Sequence, residues 1–185
     1  MSLVKKVVLA LGSNMGEPIA NLCQAIAEIS TFAKVELCSG VYQTAPVGYL
    51  DQDDFFNAVI LCKTEHEPLQ LLERCKGIEA NMGRIISFRN APRPIDIDII
   101  FYEGVKMDTD ILQIPHPRWH ERDFVLSPLS DIKTALEKID FKCDVMQKLS
   151  TYQKNTNQFQ HSNYGRRIRN FICCSNANRQ SFGYI

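Results

Sequence analysis

The sequence is short of the features that mark several common classes of protein. Its 185 residues include seven cysteines, an odd number with no CxxC pair among them, so neither a disulfide framework nor a structural zinc site is expected. No apolar run approaches the ~18 residues that a membrane-spanning helix requires, and the N-terminus has no signal-peptide pattern. These absences predict a cytoplasmic protein with reduced thiols and no membrane partner.

The sequence also lacks internal repeats and a phosphate-binding P-loop. The glycine-containing segment GSNMGE at 12–17 matches neither GxxxxGKS nor GxxxxGKT. A nucleotide bound to this chain would therefore need metal ions and arginines, rather than a glycine-rich loop, to hold its phosphates.

Acidic residues are missing from one part of the chain, the last 35 residues. Basic and acidic residues number 21 each over the whole sequence, so the net charge is zero. Residues 151–185 carry five basic residues and no acidic one, which leaves 16 basic and 21 acidic residues in 1–150, a net charge of −5. A general nucleic-acid-binding domain is usually basic across its folded body, so no nucleic-acid partner is expected.

The length and the 45% hydrophobic content suit one domain with a core of useful size. Ten of the 35 residues in 151–185 are Asn or Gln, and hydrophobic periodicity ends there. We therefore expect a folded domain over 1–150 and a polar, basic and mobile tail or linker over 151–185.

Hydrophobic patterning within 1–150 predicts a split β-α-β arrangement. Strands are expected at 4–11, 35–42, 55–63 and 95–102, helices at 18–31 and 68–82, a hairpin turn at Gly104 with a return strand at 105–107, and a closing helix at 144–149. Such an order of elements favours an antiparallel sheet with helices packed against it. The predicted fold class is α+β, a ferredoxin-like αβα sandwich with a mainly antiparallel sheet.

The segment RNAPRPIDIDIIF at 89–101 holds a candidate metal site. In an extended strand, Asp96 and Asp98 project from the same face, roughly 7 Å apart, while Ile95, Ile97 and Ile99 line the buried face. Hard carboxylate oxygens at this spacing can bind a divalent metal ion. The alternative is an ordinary half-buried strand whose polar face meets solvent.

Three arginines just upstream favour the metal site over the solvent-facing strand. Arg84, Arg89 and Arg93 lie in a loop that has no acidic residue and contains Pro92. Planar guanidinium groups bind phosphate oxygens well. The combination of carboxylates and arginines is typical of a site where metal ions carry a polyphosphate.

Four stretches resemble the 6-hydroxymethyl-7,8-dihydropterin pyrophosphokinase family of folate biosynthesis. They are ALGSN at 10–14, YQTAPVGYLDQDDFFN at 42–57, IEANMGR with APRPIDIDIIFY within 78–102, and IPHPRWHERDFVLSPL at 114–129. Their order and spacing make the resemblance specific, and it covers most of residues 4–130. It implies a Mg²⁺-dependent ATP:pterin diphosphotransferase, which moves pyrophosphate from ATP to the hydroxymethyl oxygen of the pterin and releases AMP.

The resemblance also implies a role for each matching residue. Asp96 and Asp98 would bind two Mg²⁺ ions, and together with Arg89 and Arg93 they would form the catalytic set. The residues implied for the co-substrate ATP are Glu79, Arg84, Arg89, Arg93, His116 and Arg122. Those implied for the pterin are Thr44, Ala45, Pro46, Val47, Phe55, Asn57 and Phe124, with the two phenylalanines stacking on the ring.

The chain departs from the family pattern mainly in the arginine loop. Asn90 stands where many members carry tryptophan, Ile86 replaces a second loop arginine, and the loop is one residue shorter. Upstream of Pro115, Ile111 and Gln113 occupy positions where members often carry Arg and Thr. We therefore expect a less complete lid and fewer nucleotide contacts.

Several alternatives stay open at the level of sequence. The same carboxylate pair would serve a different Mg²⁺-dependent phosphoryl or nucleotidyl transferase, and a chain with an incomplete arginine loop could be a nucleotide-binding regulatory module. Glu79 could pair with Arg84 instead of contacting ATP, and Phe55 and Phe124 could be core residues. Residues 151–185 could be a native extension or a linker to a neighbouring folate enzyme.

Overall fold

The computed structural model describes residues 4–85, 87–88, 90–141, 145–158 and 166–170. The strands are β1 (Lys5–Ser13), β2 (Lys34–Cys38), β3 (Gly40–Thr44), β4 (Phe55–Thr64), β5 (Asp96–Tyr102), β6 (Met107–Asp108), β7 (Gln113–Ile114) and β8 (Arg166–Asn170). The helices are α1 (Pro18–Ile29), α2 (Pro68–Asn81), α3 (Asp123–Asp131), α4 (Lys133–Leu136) and α5 (Val145–Gln158), with a 3₁₀ turn at Trp119–Glu121. Within these ranges no helix has the length and apolar character needed to cross a bilayer.

Six strands form one antiparallel sheet in the order β5-β1-β4-β3-β8, and β2 pairs with β4 beside β3. The predicted single strand at 35–42 is therefore wrong, because it divides at Ser39 into β2 and β3. The Ser39 hydroxyl accepts a hydrogen bond of 2.9 Å from the N–H of Val59, and its own N–H donates to the Val59 carbonyl. This side-chain bond replaces regular ladder pairing at the break.

Helices cover both faces of the sheet, and each face has its own core. On one face α1 and α2 pack through a set of buried residues that includes Leu9, Leu22, Ile60, Leu71 and Ile97. On the other face α3, α4 and α5 pack through a second set that includes Val8, Val59, Phe101, Leu129 and Leu149. The predicted α+β sandwich with a mainly antiparallel sheet is confirmed.

The prediction of a return strand at 105–107 is wrong. Gly104 does adopt a left-handed conformation, with φ of 73°. Its N–H donates to the carbonyl of Asp140 at 2.7 Å, and the following residues do not pair with β5. The next strand, β6, pairs with β7 to form a separate two-stranded sheet.

The region after residue 122 is more helical than the sequence indicates. Helix α3 was not predicted, and α5 is longer than the expected closing helix at 144–149, since it continues to Gln158. Strand β8 pairs with the outer edge of β3. The division into a 1–150 domain and a 151–185 tail stays a prediction, and residues 159–165 and 171–185 lie outside the described residues.

Candidate active site

Strand β5 carries its two carboxylates on one face. The side chains of Asp96 and Asp98 are 26% and 34% exposed, whereas Ile95, Ile97 and Ile99 are at most 3% exposed. Two acidic side chains therefore project from a rigid strand whose opposite face is fixed in the core.

Small residues in the neighbouring strand leave space over these carboxylates. In β1, Gly12 pairs with Asp96 and Ala10 pairs with Asp98. A Cβ atom at Gly12 would lie 2.9 Å from Oδ1 of Asn57, which is closer than an ordinary contact. The result is a cavity of about 290 Å³ above the strand ends.

Most of the predicted site residues line this one cavity. Pro46 is not among the lining residues, but its neighbours Ala45 and Val47 in the β3–β4 loop are. Glu79 lines a neighbouring cavity. Arg89 and Ile86 lie outside the described residues. The predicted residues that line the cavity are Thr44, Ala45, Val47, Phe55, Asn57, Arg84, Arg93, Asp96, Asp98, His116, Arg122 and Phe124.

Both carboxylates are paired with arginines. Nη1 of Arg84 lies 2.5 Å from Oδ1 of Asp96, and Nη1 of Arg93 lies 3.0 Å from Oδ2 of the same group. Nη1 of Arg122 lies 3.4 Å from Oδ2 of Asp98. Three guanidinium groups, two from the arginine loop and one from the residue before α3, thus converge on two carboxylates, which brings groups able to bind phosphate and metal ions to one place.

Glu79 is a buried carboxylate behind this cluster, with 2% of its surface exposed. It accepts a hydrogen bond of 2.7 Å from the backbone N–H of Ile97, and it forms ion pairs with Lys76 at 2.9 Å and with Arg84 at 2.5 Å. Burial disfavours the charged form of Arg84, but Asp96 and Glu79 outweigh it and raise the Arg84 pKa. Of the two alternatives for Glu79, the pairing with Arg84 is present, and a contact with ATP stays a prediction.

His116 is placed beside Asp98 and Arg122. Its backbone N–H donates to the carbonyl of Ile100 at 3.0 Å, and its Nδ1 accepts the N–H of Arg118 at 3.2 Å. Desolvation lowers the His116 pKa, and Asp98 opposes that shift only in part. A neutral ring whose Nδ1 accepts this bond has its proton on Nε2, where it can donate to a ligand in the cavity.

Phe55 and Phe124 are half-buried and line the cavity, and Phe124 also packs against the core of α3, α4 and α5. The guanidinium carbon of Arg93 lies 5.9 Å from the ring centre of Phe55, and that of Arg122 lies 5.5 Å from the ring centre of Phe124. The buried side chain of Asn57, which also lines the cavity, donates to Oγ1 of Thr44 at 2.8 Å. The cavity thus combines two aromatic faces with fixed polar groups, as sites for flat heterocycles do.

A hydrogen-bond network joins three loops around the cavity. Oδ1 of Asn14 accepts the N–H of Arg93 at 2.9 Å, and Nδ2 of Asn14 donates to Oε1 of Gln52 at 2.8 Å. Nε2 of Gln52 donates to the carbonyls of Tyr49 and Asn90. These hydrogen bonds therefore fix the positions of the β1–α1 loop, the β3–β4 loop and the arginine loop relative to one another.

The sequence interpretation did not assign roles to Asn14, Gln52 or Lys76. Asn14 and Gln52 lie inside two of the stretches that carry the family resemblance, which was the available signal for them. Lys76 lies three residues before Glu79 in α2, a spacing that places two side chains side by side on a helix. Its ion pair with Glu79 could have been inferred from that spacing.

The donor set fits a metal ion that is shared with a ligand. Mg²⁺ is usually held by one or two carboxylates together with substrate phosphates and water. Among the residues that the structure describes, no group of three or more His, Cys, Asp or Glu side chains is arranged to hold a metal ion. Asp96 and Asp98 beside an open cavity suit Mg²⁺ completed by phosphate oxygens.

The chain is similar in sequence to proteins of folate synthesis. The "Folic acid synthesis protein FOL1" of Dictyostelium discoideum is 45% identical over 126 residues, which are 68% of this chain and 19% of that protein. The "2-amino-4-hydroxy-6-hydroxymethyldihydropteridine pyrophosphokinase" of Bacillus subtilis is 42% identical over 132 residues, which are 70% of this chain and 79% of that protein. This chain therefore spans a small part of the first relative and most of the second.

The fold is also similar to that of solved structures. A crystal structure of Plasmodium falciparum HPPK-DHPS wild type matches with a TM-score of 0.63 and 17% identity, over 90% of this chain and 45% of that one. The model of the family described as 7,8-dihydro-6-hydroxymethylpterin-pyrophosphokinase (HPPK) matches residues 8–134. With its site residues inside that match, the chain belongs to the 7,8-dihydro-6-hydroxymethylpterin-pyrophosphokinase family.

Proposed function

We propose that this chain transfers the pyrophosphoryl group of ATP to the hydroxymethyl oxygen of 6-hydroxymethyl-7,8-dihydropterin. The oxygen attacks the β-phosphorus, the bond between that phosphorus and the α-β bridging oxygen breaks, and AMP leaves. The single observation that carries the proposal is the convergence of Asp96, Asp98, three arginines and two phenylalanines on one cavity. Membership of the pyrophosphokinase family supports it.

The pterin is proposed to lie between Phe55 and Phe124. Offset stacking on two aromatic faces stabilises a flat ring, and both side chains line the cavity. Nδ2 of Asn57 is held on Thr44, so its Oδ1 is fixed in orientation and can accept a hydrogen bond from an amino or ring N–H. Backbone groups of 44–47 complete the polar edge.

The ATP phosphates are proposed to lie over β5, between the arginines. Arg84, Arg93 and Arg122 would exchange carboxylate partners for phosphate oxygens, and Nε2–H of His116 would donate to another oxygen. Two Mg²⁺ ions held by Asp96 and Asp98 would supply charge neutralisation on the triphosphate and polarise the attacking hydroxyl. Positioning and electrostatics then account for the chemistry without a protein nucleophile. We expect a nearby carboxylate or solvent to take the hydroxyl proton.

Arg89 is proposed to reach the triphosphate from the arginine loop, and its role stays a prediction of the family resemblance. A residue that engages when the loop closes should affect turnover more than ATP affinity. Equal losses of kcat and ATP affinity in Arg89→Ala would contradict that role.

The stacking pair favours this function over another Mg²⁺-dependent phosphoryl or nucleotidyl transferase, which has no need of two aromatic faces. The discriminating experiment is AMP formation from ATP with and without 6-hydroxymethyl-7,8-dihydropterin. Pterin-dependent AMP is expected, and it should be lost in Asp96→Ala but retained in Asp108→Ala, which changes an exposed acidic residue of β6. AMP formation that does not need pterin would indicate another transferase, and ATP binding without AMP would indicate a regulatory module.

Association with another folate enzyme is proposed for the region after residue 150. A relative in Pisum sativum, 40% identical over 129 residues, is named "Folate synthesis bifunctional protein, mitochondrial". A linker to such a second enzyme and a native extension are both compatible with 151–185, and mass analysis of the natural gene product distinguishes them. The cytoplasmic location stays a prediction.

A further inference from the structure

The two oxygens of Asp96 are both in contact with guanidinium groups. Arg84 holds Oδ1 at 2.5 Å, and Arg93 holds Oδ2 at 3.0 Å. A Mg²⁺ ion binds carboxylate oxygens at about 2.0–2.1 Å, so it would need space that these cations now occupy. A divalent ion and a guanidinium group bound to the same carboxylate would also repel each other, because both are positively charged.

Arg84 has a second carboxylate partner, and this makes its displacement feasible. Its Nη1 lies 2.5 Å from Oε2 of Glu79. Glu79 is fixed independently, by the N–H of Ile97 at 2.7 Å and by Lys76 at 2.9 Å, and it is 2% exposed. Arg84 can therefore leave Asp96 while it remains ion-paired, which avoids an unpaired charge in a half-buried position.

Arg93 differs from Arg84 in how it is held. Its Nε donates to the carbonyl of Ala91 at 3.0 Å, and its backbone N–H is bound by Asn14. Arg93 is thus fixed at several points around Asp96. Of the two arginines, Arg84 is the one placed between two carboxylates.

We propose that Arg84 is the counter-ion of Asp96, and that a divalent cation must displace it toward Glu79 in order to bind Asp96. The proposal rests on the proposed function in one respect, because it takes Asp96 as a metal ligand. Arg84 and the metal ion then compete for Asp96, and Glu79 is a positioning residue that receives Arg84.

Competition of this kind has a distinctive consequence. The ligand-free protein should bind free divalent cation weakly, and the cation should bind better with ATP, whose phosphates attract the displaced guanidinium. Removal of Arg84 should therefore raise the affinity for free cation while it lowers turnover. A purely structural arginine would not produce an increase in metal affinity.

The test is a titration of the nucleotide-free protein with Mn²⁺, followed by the electron paramagnetic resonance signal of free Mn²⁺. We expect Arg84→Met to bind Mn²⁺ about fivefold or more tightly than the wild-type chain, within the usual range for coupled binding events. Arg84→Lys retains the charge and should stay close to wild type. The matched control is Arg118→Met, which also removes a positive charge near the cavity. Arg118 pairs with Glu121 and not with Asp96, so its loss should change the affinity for Mn²⁺ by less than about twofold.

A second variant tests whether Glu79 acts through Arg84. Glu79→Gln removes the alternative partner, so Arg84 should stay on Asp96 and Mn²⁺ affinity should fall. In the Arg84→Met background the same change should have a much smaller effect, because the residue through which it acts is absent. Equal effects in both backgrounds would contradict the positioning role.

The outcomes separate this inference from the proposed function. If Asp96→Asn binds Mn²⁺ as well as wild type does, Asp96 is not a metal ligand, and the proposed competition between Arg84 and the metal ion is also wrong. If Asp96→Asn weakens binding but Arg84→Met leaves it unchanged or weaker, the metal site stands and the competition is overturned. Undetectable binding in both wild type and Arg84→Met would also overturn the competition, because loss of the competitor should make the site measurable.

Discussion

The carboxylate of Glu79 at the end of α2 accepts a hydrogen bond of 2.7 Å from the backbone N–H of Ile97 in β5. Ile97 lies between Asp96 and Asp98, so this bond fixes the helix against the strand at the point where both acidic side chains leave the backbone. The same carboxylate pairs with Arg84, which also contacts Asp96. One buried group thus connects the fold to the geometry of the candidate metal site.

Loss of the Glu79 carboxylate should destabilise the protein. Glu79→Ala leaves the buried N–H of Ile97 without an acceptor and removes the partner of two cations, and such losses cost about 3 kcal/mol. Urea unfolding measures the change. Glu73→Ala, at an exposed position in the same helix, should change the free energy of unfolding by less than about 0.5 kcal/mol. A similar small change in Glu79→Ala would contradict the anchoring role.

The aromatic pair should affect pterin binding more than stability. Phe124→Ala removes one stacking face, and we expect pterin affinity to fall about tenfold or more, since aromatic stacking adds to the loss of buried area. Isothermal titration measures it. The control is Phe32→Ala, because Phe32 is also half-buried but packs against the α1–α2 core on the opposite face of the sheet. Lower stability in Phe124→Ala with unchanged pterin affinity would show that Phe124 is a core residue.

The regular elements of the sandwich were predictable because they follow hydrophobic periodicity. Alternation in 95–99 placed Asp96 and Asp98 on one face, and prolines at 18 and 68 marked the first residues of α1 and α2. Helix α3 was missed because Pro128 interrupts its short apolar pattern. Prolines usually end a helix rather than lie inside one.

Features that depend on contacts between distant segments were not predictable from pattern. The pairing shift in β5 leaves Ile100 out of the regular register with β1, so the adjacent residues Ile100 and Phe101 join the same core instead of opposite faces of the sheet. Two adjacent apolar residues give no signal of that change. The hydrogen bond from Asn14 to Gln52, 38 positions apart, likewise follows no periodic pattern in the sequence.

The stability of the protein should fall as the pH falls below the usual pKa of histidine, and His116 should contribute to that fall. Its folded-state pKa lies below the ordinary 6.5, so between the two values the unfolded chain binds more protons than the folded one. The free energy of unfolding therefore rises with pH through this window, and the contribution of His116 is fully present above 6.5. Urea unfolding as a function of pH, compared with His116→Gln, measures the contribution. An NMR titration midpoint for His116 at or above 6.5 would contradict it.

Gly48 and Asn90 form a close contact between the β3–β4 loop and the arginine loop, and both have positive φ, of 89° and 63°. A Cβ atom at Gly48 would lie 2.3 Å from Nδ2 of Asn90. Gly48→Ala should therefore combine backbone strain with a steric clash and separate the loops, which would weaken pterin binding. Gly16→Ala is the matched control, since Gly16 also has a positive φ, of 62°, but has nothing within 4 Å of its added Cβ.

The clash and the backbone strain at Gly48 can be separated by a double variant. Asn90→Gly removes the clashing amide and tolerates the left-handed backbone, while the carbonyl of residue 90 can still accept from Gln52. In that background Gly48→Ala should cost only about the 1 kcal/mol expected of strain alone, close to the cost of Gly16→Ala, and much of the pterin affinity should return. If Gly48→Ala costs the same with and without Asn90, the two loops do not meet through this pair. Urea unfolding and pterin titration of the four proteins decide between these outcomes, because a direct contact between the two positions requires their effects to be non-additive.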